Sequence, residues 1–324
     1  MKRHLTYLLL LVICPLMGWA QINTERVMAI GRNALYFEDY VLSIQYFNQV
    51  INAKPYLADP YFFRGLAKIN LDDFSGAESD CTEAIERNPF VVNAYQVRGL
   101  ARIQQDKLAD AVKDYQKALE LDPENIALWH NLALCRIRQK EYDAAKNDLD
   151  RLIIISPRYT KAYLMRGEVD LKQKDTLTAE KDFNRAIEID RYDPDTWASR
   201  GMLYLMKEQY KEAEEDLGKA IHLSVRNPGL YINRALARYH QNNLRGAMAD
   251  YDLAIDMDAN NFIGHYNRGL LRAQVGDDNR AIEDFNFVIE MEPDNMMAIF
   301  NRGLLLDQTG DLRGAIRDYT RVLE

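Results

Sequence analysis

The chain has 324 residues, of which 48% are hydrophobic and 28% are charged, and its formal net charge is −8. This composition is that of an ordinary folded protein and argues against intrinsic disorder. An acidic chain without a run of Lys and Arg binds nucleic acid poorly, because neutralisation of phosphates dominates that affinity. We therefore expect no nucleic-acid partner.

The first twenty residues differ in character from the rest of the chain. A basic pair at residues 2–3 precedes an apolar run over residues 5–17, and Gly18 and Ala20 then place small residues at the two sites that a signal peptidase needs. The run is too short and too early to be a membrane-spanning helix of the mature protein. We therefore predict a signal peptide over residues 1–20, cleaved after Ala20. The chain is then exported, and is periplasmic or associated with the outer envelope of a bacterium.

Cys14 offers an alternative, because a lipid anchor is attached to a cysteine at the end of a lipoprotein signal. A lipid-modified cysteine normally follows a small residue, whereas Ile13 is bulky. A lipid anchor at Cys14 and an uncleaved anchor both stay open, and the residues favour cleavage after Ala20.

Residues 21–324 are organised by a 34-residue unit that recurs from about residue 24 to the last residue. One site of the unit holds only glycine or alanine: Gly31, Gly65, Gly99, Ala133, Gly167, Gly201, Ala235, Gly269 and Gly303. A second site is equally small: Ser43, Ala77, Ala111, Ala145, Ala179, Ala213, Ala247, Ala281 and Ala315. A fixed period of this length is typical of stacked supersecondary units. The units lie at approximately 24–57, 58–91, 92–125, 126–159, 160–193, 194–227, 228–261, 262–295 and 296–324.

Each unit carries two stretches of apolar residues at helical spacing. The third unit shows both, with Tyr95, Gly99, Leu100 and Ile103 followed by Leu108, Ala111, Tyr115, Ala118 and Leu119. Spacings of three and four place each set on one face of a helix. At Asp193-Pro194 and Asn227-Pro228 the sequence predicts an N-cap followed by a first-turn proline.

Bulky residues recur four positions after the second small site, where they fill the space beside the glycines. They are Phe47, Cys81, Tyr115, Leu149, Phe183, Leu217, Tyr251, Phe285 and Tyr319. This alternation of small and large residues predicts two antiparallel helices that interdigitate within each unit.

Arginine and aspartate repeat in step with the units. Arginine precedes the glycine-or-alanine site at Arg64, Arg98, Arg166, Arg200, Arg234, Arg268 and Arg302. Aspartate precedes the bulky site at Asp80, Asp114, Asp148, Asp182, Asp216, Asp250, Asp284 and Asp318. The two series predict a ladder of ion pairs that links helices within or between units. Leu132 interrupts the arginines in the fourth unit, so we expect Asp148 to lack that partner.

The pattern resembles that of the tetratricopeptide repeat (TPR) family: an aromatic, glycine four residues on, alanine twelve later, an aromatic, alanine and proline. The third unit matches it at Tyr95, Gly99, Ala111, Tyr115, Ala118 and Pro123. The resemblance extends over essentially all of residues 21–324. It implies an all-α fold, a right-handed α-solenoid of about nine helix-turn-helix units, and a non-enzymatic scaffold that binds other proteins.

The inner, concave face formed by the first helices is the binding site that the family resemblance implies. The candidate residues there are apolar or aromatic: Phe62, Leu66, Leu236, Tyr239, Tyr266, Leu270, Phe300 and Leu304. Such a stripe could receive a peptide with the aromatics as anchors. The alternative is that part of the stripe is inter-helix core. Cochaperone members of the family grip a terminal carboxylate with a lysine at a matched first-helix site, and no unit here has that lysine.

We find no sign of catalysis in the sequence. No phosphate loop, nucleophile elbow or paired-cysteine site occurs, and the histidines lack ligand spacing. Cys81 and Cys135 occupy different sites in units that are two apart, so a disulfide between them is implausible. We predict no enzyme activity, no metal, no cofactor, and two buried thiols.

Two functions follow as hypotheses. The first is a protein-interaction scaffold of the bacterial envelope that binds a peptide or protein segment in the groove. The alternative is an accessory protein that binds carbohydrate or a cell-wall polymer, which exposed Trp and Tyr on one face would favour. Val322 and Leu323 are apolar at the end of the last unit, so this end is either a truncation or a surface for self-association.

Overall fold

The computed structural model describes residues 23–324, which form eighteen helices and no strand. The predicted signal peptide, its cleavage after Ala20 and the alternative anchor at Cys14 lie outside the described residues. The helices in chain order are α1 (Thr24–Tyr36), α2 (Tyr40–Ala53), α3 (Asp59–Ile69), α4 (Phe74–Arg87), α5 (Val92–Gln104), α6 (Leu108–Leu121), α7 (Ile126–Arg138), α8 (Tyr142–Ile155), α9 (Thr160–Lys172), α10 (Thr176–Ile189), α11 (Pro194–Met206), α12 (Tyr210–Leu223), α13 (Pro228–His240), α14 (Leu244–Met257), α15 (Phe262–Gln274), α16 (Asp278–Met291), α17 (Met296–Thr309) and α18 (Leu312–Leu323). The all-α prediction of about nine helix-turn-helix pairs is confirmed.

The helices fall into two compact units, which are residues 23–135 and residues 136–324 of the described chain. Within the first, α1 packs on α2, α3 on α4 and α5 on α6, and both α2 and α4 also contact the first helix of the next pair. The same alternation runs from α9 to α18 in the second unit. Successive helices inside each compact unit therefore bury one face within their pair and another against a neighbouring pair, as stacked repeats require.

The turn inside each pair contains one residue in the left-handed conformation. These residues are Glu38, Asp72, Asp106, Lys140, Lys174, Glu208, Asn242, Gly276 and Gly310. The next residue often caps the second helix: the side chain of Asp175, for example, accepts a hydrogen bond from the backbone N–H of Thr178 at 3.1 Å. A cap of this kind satisfies one of the free N–H groups at a helix start.

Two first helices begin with an N-cap and a first-turn proline, as predicted. Asp193 accepts from the backbone N–H of Asp195 at 3.3 Å ahead of α11, and Asn227 accepts from the backbone N–H of Gly229 at 3.1 Å ahead of α13. Proline fits the first turn because its missing N–H would have no partner there.

In the pairs that contain Gly167 and Gly201, the packing of small against large residues is tight enough to exclude a methyl group. A Cβ atom placed on Gly167 would lie 2.6 Å from the ring of Phe183, and one on Gly201 would lie 2.8 Å from Leu217. Phe183 and Leu217 are fully buried. The glycine site therefore lets the first helix approach the bulky residue of its partner closely.

The predicted ladder of ion pairs is present. In seven pairs of the described chain, the arginine Nε and Nη2 atoms donate to the aspartate carboxylate at 2.5 to 3.2 Å. The partners are Arg64–Asp80, Arg98–Asp114, Arg166–Asp182, Arg200–Asp216, Arg234–Asp250, Arg268–Asp284 and Arg302–Asp318. Two parallel bonds to one carboxylate fix the register of the paired helices.

Asp148 has no arginine at the ladder position, and its environment differs accordingly. It accepts one hydrogen bond, from Arg136 at 2.6 Å, while its Oδ2 is buried and accepts none within residues 23–324. Burial raises the pKa of Asp148 from 3.8 to about 6, although Arg136 acts to lower it. Asp148 is thus a buried carboxylate whose loss of hydration is only partly offset by its hydrogen bond to Arg136.

Candidate functional site

Phe62 and Leu66 are the two predicted groove residues in the first compact unit, and both lie on α3. Each is half-buried. The Phe62 ring lies 5.0 Å from the Phe63 ring and packs against the core cluster that contains Ile51 and Tyr61. Phe62 therefore serves the core at least in part, as the alternative interpretation of the stripe allows.

Leu236 and Tyr239 lie on α13 in the second compact unit, residues 136–324. They are one helical turn apart, and both are half-buried. Tyr239 packs against the largest core cluster of that unit, and its ring meets His240 edge-on at 5.4 Å. Each of these two side chains is partly exposed to solvent and partly packed within the helix stack.

Tyr266, Leu270, Phe300 and Leu304 form what we call the α15–α17 patch. Leu270 is 37% exposed, Phe300 43% and Leu304 40%. Within α15 and within α17 the two residues are four apart, so each couple lies on one helix face. The two helices contact each other directly. The patch is therefore a partly exposed apolar surface on neighbouring first helices.

Tyr266 is held in place from two sides. Asn301 donates a hydrogen bond from Nδ2 to the Tyr266 phenol oxygen at 3.1 Å, across α15 and α17. The ring also packs edge-on against the buried Phe285 at 5.8 Å. A ring fixed in this way loses little conformational entropy when a ligand contacts it.

A cavity of about 770 Å³ in the second unit was not predicted from the sequence. Trp197 and Tyr192 form an aromatic wall, while Lys219 and Gly218 line it from α12. The signal that could have revealed it is Gly218, a glycine at a site where every other unit carries a polar side chain. Volumes of this order are typical of small-molecule sites.

The described residues 23–324 contain no group of His, Cys, Asp and Glu placed to hold a metal ion. Nor does that part of the chain contain a helix long and apolar enough to cross a membrane. Cys81 and Cys135 are both buried, and burial raises the pKa of the Cys81 thiol to about 12.

Two protein-family models match the chain. A model described as TPR repeat matches residues 99–136, and one described as tetratricopeptide repeat matches residues 130–194, 199–262 and 266–324. The chain belongs to the tetratricopeptide repeat family. The TPR fold is typically a non-catalytic scaffold, and membership supports a role in protein–protein interaction.

Two solved structures show the same fold. A tetratricopeptide repeat protein from Parabacteroides merdae ATCC 43184 is similar with a TM-score of 0.60 and 22% identity, over 77% of this chain and 98% of that one. A chain of the APC/C hetero-tetramer Cut9-Hcn1 is similar with a TM-score of 0.61 and 14% identity, over 90% of this chain and 57% of that one. Comparison with curated proteins gives no match.

Proposed function

We propose that this TPR protein is a scaffold of the bacterial envelope that binds a peptide or protein segment on its first-helix surface, with the α15–α17 patch as the principal contact. The observation that supports this most is the partial exposure of Leu270, Phe300 and Leu304, at 37 to 43%, beside a fixed tyrosine. Rigid aromatic and aliphatic anchors of this kind dominate the energetics of peptide recognition.

A selected peptide tests the patch. Peptides are selected by display against the wild-type chain, and the affinity of the best one is measured for a Tyr266→Ala/Phe300→Ala variant. We expect affinity to fall by at least about tenfold, because truncation of an aromatic anchor commonly costs more than 1 kcal/mol. The matched control is Leu253→Ala/Met257→Ala, which removes two apolar residues of similar exposure from the second helix α14. Equal loss in both variants, or no loss in either, contradicts the assignment.

The envelope location is supported by the sequence of residues 1–20 and is tested separately. N-terminal sequencing of the mature protein should begin at Gln21. Detection of residues 1–20 in the mature protein, or of lipid on Cys14, would replace cleavage after Ala20 by one of its alternatives.

A carbohydrate-binding role is the second candidate. The observation that favours it is the aromatic wall that Tyr192 and Trp197 form in the cavity of about 770 Å³. Tyr192 is 68% exposed there, beside Trp197. The ammonium group of Lys219 lies 4.2 Å from the Trp197 ring centroid, however, and so covers the face on which a sugar would stack. We therefore favour the protein-binding role.

Self-association through the last helix is a further proposal. On α18, Leu312 is 58% exposed, Ile316 64% and Leu323 87%. An exposed apolar face of this kind is a common feature of protein interfaces. Sedimentation equilibrium should show a dimer that Ile316→Lys converts to a monomer, whereas a monomeric wild type removes the proposal.

A further inference from the structure

The residue that follows the bulky site of each second helix forms a polar series with one interruption. The series reads Asn48, Thr82, Gln116, Asp150, Asn184, Gly218, Asp252, Asn286 and Thr320. Gly218 alone lacks a side chain, although it lies in the middle of α12, where glycine stabilises a helix less than alanine does.

Six of the other eight members of the series accept a hydrogen bond from the ladder arginine of the next pair. Its Nη1 atom donates to Asn48, Thr82, Asp150, Asn184, Asp252 or Asn286 at 2.5 to 3.1 Å. Two of these acceptors are carboxylates. In these pairs an acceptor oxygen of a side chain therefore lies beside the arginine Nη1, and a carboxylate is one of the groups that supply it.

Arg234 is the ladder arginine that faces Gly218. Its Nε and Nη2 atoms donate to Asp250 at 2.9 and 2.7 Å, and its Nη1 has no acceptor within residues 23–324. A Cβ atom placed on Gly218 would lie 4.0 Å from that Nη1. The Arg234 side chain is 17% exposed and its Nη1 is not fully buried, so a ligand oxygen can reach this donor. A ligand oxygen placed there would accept the hydrogen bond that a side chain of the polar series accepts in six other pairs.

The cavity of about 770 Å³ opens next to Gly218. Arg191, Lys219 and His222 line it together with a single acid, Glu215, so its lining carries an excess of basic groups. The Trp197 indole N–H donates to the Arg191 carbonyl oxygen at 2.9 Å, which fixes the aromatic wall. An apolar wall beside basic groups is complementary to an anion carried on an apolar body.

We propose that this cavity binds a carboxylate attached to an apolar or aromatic group. The carboxylate occupies the space left by the missing side chain at Gly218 and accepts from Arg234 Nη1, and the apolar group lies against Tyr192, because Lys219 covers the face of Trp197. The site is built by α10, α11 and α12, with Arg234 from α13, whereas the α15–α17 patch lies on other helices. The proposal is therefore independent of the proposed groove function.

Titration calorimetry with small probes tests the chemistry. N-acetyl-phenylalanine should bind the wild-type chain at least about tenfold more tightly than its uncharged amide, and more tightly than acetate, because it supplies both the carboxylate and the ring. Equal binding of acid and amide overturns the proposal, and so does equal binding of acetate and N-acetyl-phenylalanine. Absence of binding by all three probes also overturns it.

Two substitutions at one position test the geometry. Gly218→Asp restores the carboxylate that Asp150 and Asp252 supply elsewhere, so it should raise the melting temperature and weaken probe binding at least about tenfold. Gly218→Ala adds a methyl group at ordinary contact distance without an acceptor, so probe binding should stay within about threefold of the wild type. Unchanged binding in Gly218→Asp contradicts the proposal, whatever its stability.

The source of the carboxylate is distinguished by a blocked dipeptide. N-acetyl-Phe-Glu-amide carries its only carboxylate on a side chain, whereas N-acetyl-phenylalanine carries a terminal one. Tighter binding of the dipeptide assigns the site to an acidic segment of a protein partner. Tighter binding of N-acetyl-phenylalanine assigns it to a chain terminus or a free metabolite, and either result supports carboxylate recognition.

Discussion

Asp148 gives the protein a pH-dependent stability that a single substitution should remove. Its carboxylate is 6% exposed and receives one hydrogen bond, from Arg136, and burial raises its pKa from 3.8 to about 6. An acid with a raised pKa in the folded state binds protons more readily there than in the unfolded chain. Its contribution to the free energy of unfolding therefore decreases as the pH rises from about 4 through 6.

The size of the effect follows from the two pKa values. Between pH 5 and pH 8 the contribution of Asp148 to the free energy of unfolding falls by about 1.4 kcal/mol. Asp148→Asn removes this titration. The stability of the variant relative to the wild type should therefore increase by about 1.4 kcal/mol between pH 5 and pH 8.

Urea unfolding followed by circular dichroism at the two pH values measures this difference. The matched control is Asp182→Asn in the next pair, where Arg166 donates two hydrogen bonds to the carboxylate at 2.7 and 2.6 Å. We expect the control to be destabilised by about 2 kcal/mol at both pH values, because a charged hydrogen-bonded pair is lost. If the stability difference between Asp148→Asn and the wild type is the same at pH 5 and pH 8, the assigned pKa is wrong.

Two further predictions concern packing and turns. Gly167→Ala should destabilise the protein by about 1 kcal/mol, because the clash with Phe183 outweighs the gain in helix propensity. Adding Phe183→Leu should recover most of that loss. Thermal unfolding of both variants measures the effect, and a Gly167→Ala variant more stable than the wild type contradicts it. Lys174→Gly should stabilise the protein by about 0.5 kcal/mol, because φ is +64° at this residue and glycine adopts that conformation without strain. Gly310→Ala should destabilise the protein by about 1 kcal/mol, because φ is +91° there. Equal melting temperatures for the two variants would show that strain in the turns is negligible.

The period of the sequence was sufficient to predict the helix pairs and the ladder. Gly167 and Phe183 contact each other inside one helix pair. Because equivalent residues recur in each repeat, the sequence alone predicts how the two helices of a pair pack. The ion pair between Arg166 and Asp182 is predictable for the same reason, since both partners recur at fixed positions.

The cavity was not predicted, because its one sequence signal is the side chain that Gly218 lacks in a series of polar residues. Gly218 matters only through the distance to Arg234, and that distance depends on how two successive pairs stack. The backbone conformation of the turns was not predicted from the sequence either. Lys174 adopts the left-handed conformation that glycine would favour, and the surrounding hydrogen bonds impose it. For Tyr266, the sequence could not separate exposure from packing, and the structure shows that its ring packs on Phe285.

In the function that we propose, the first-helix surface of this TPR protein receives a peptide. A crystal structure of the chain with a display-selected peptide tests it most directly. We expect peptide side chains within contact distance of Tyr266, Leu270, Phe300 and Leu304. A peptide bound to the second helices α14, α16 or α18, with the α15–α17 patch free, would contradict it.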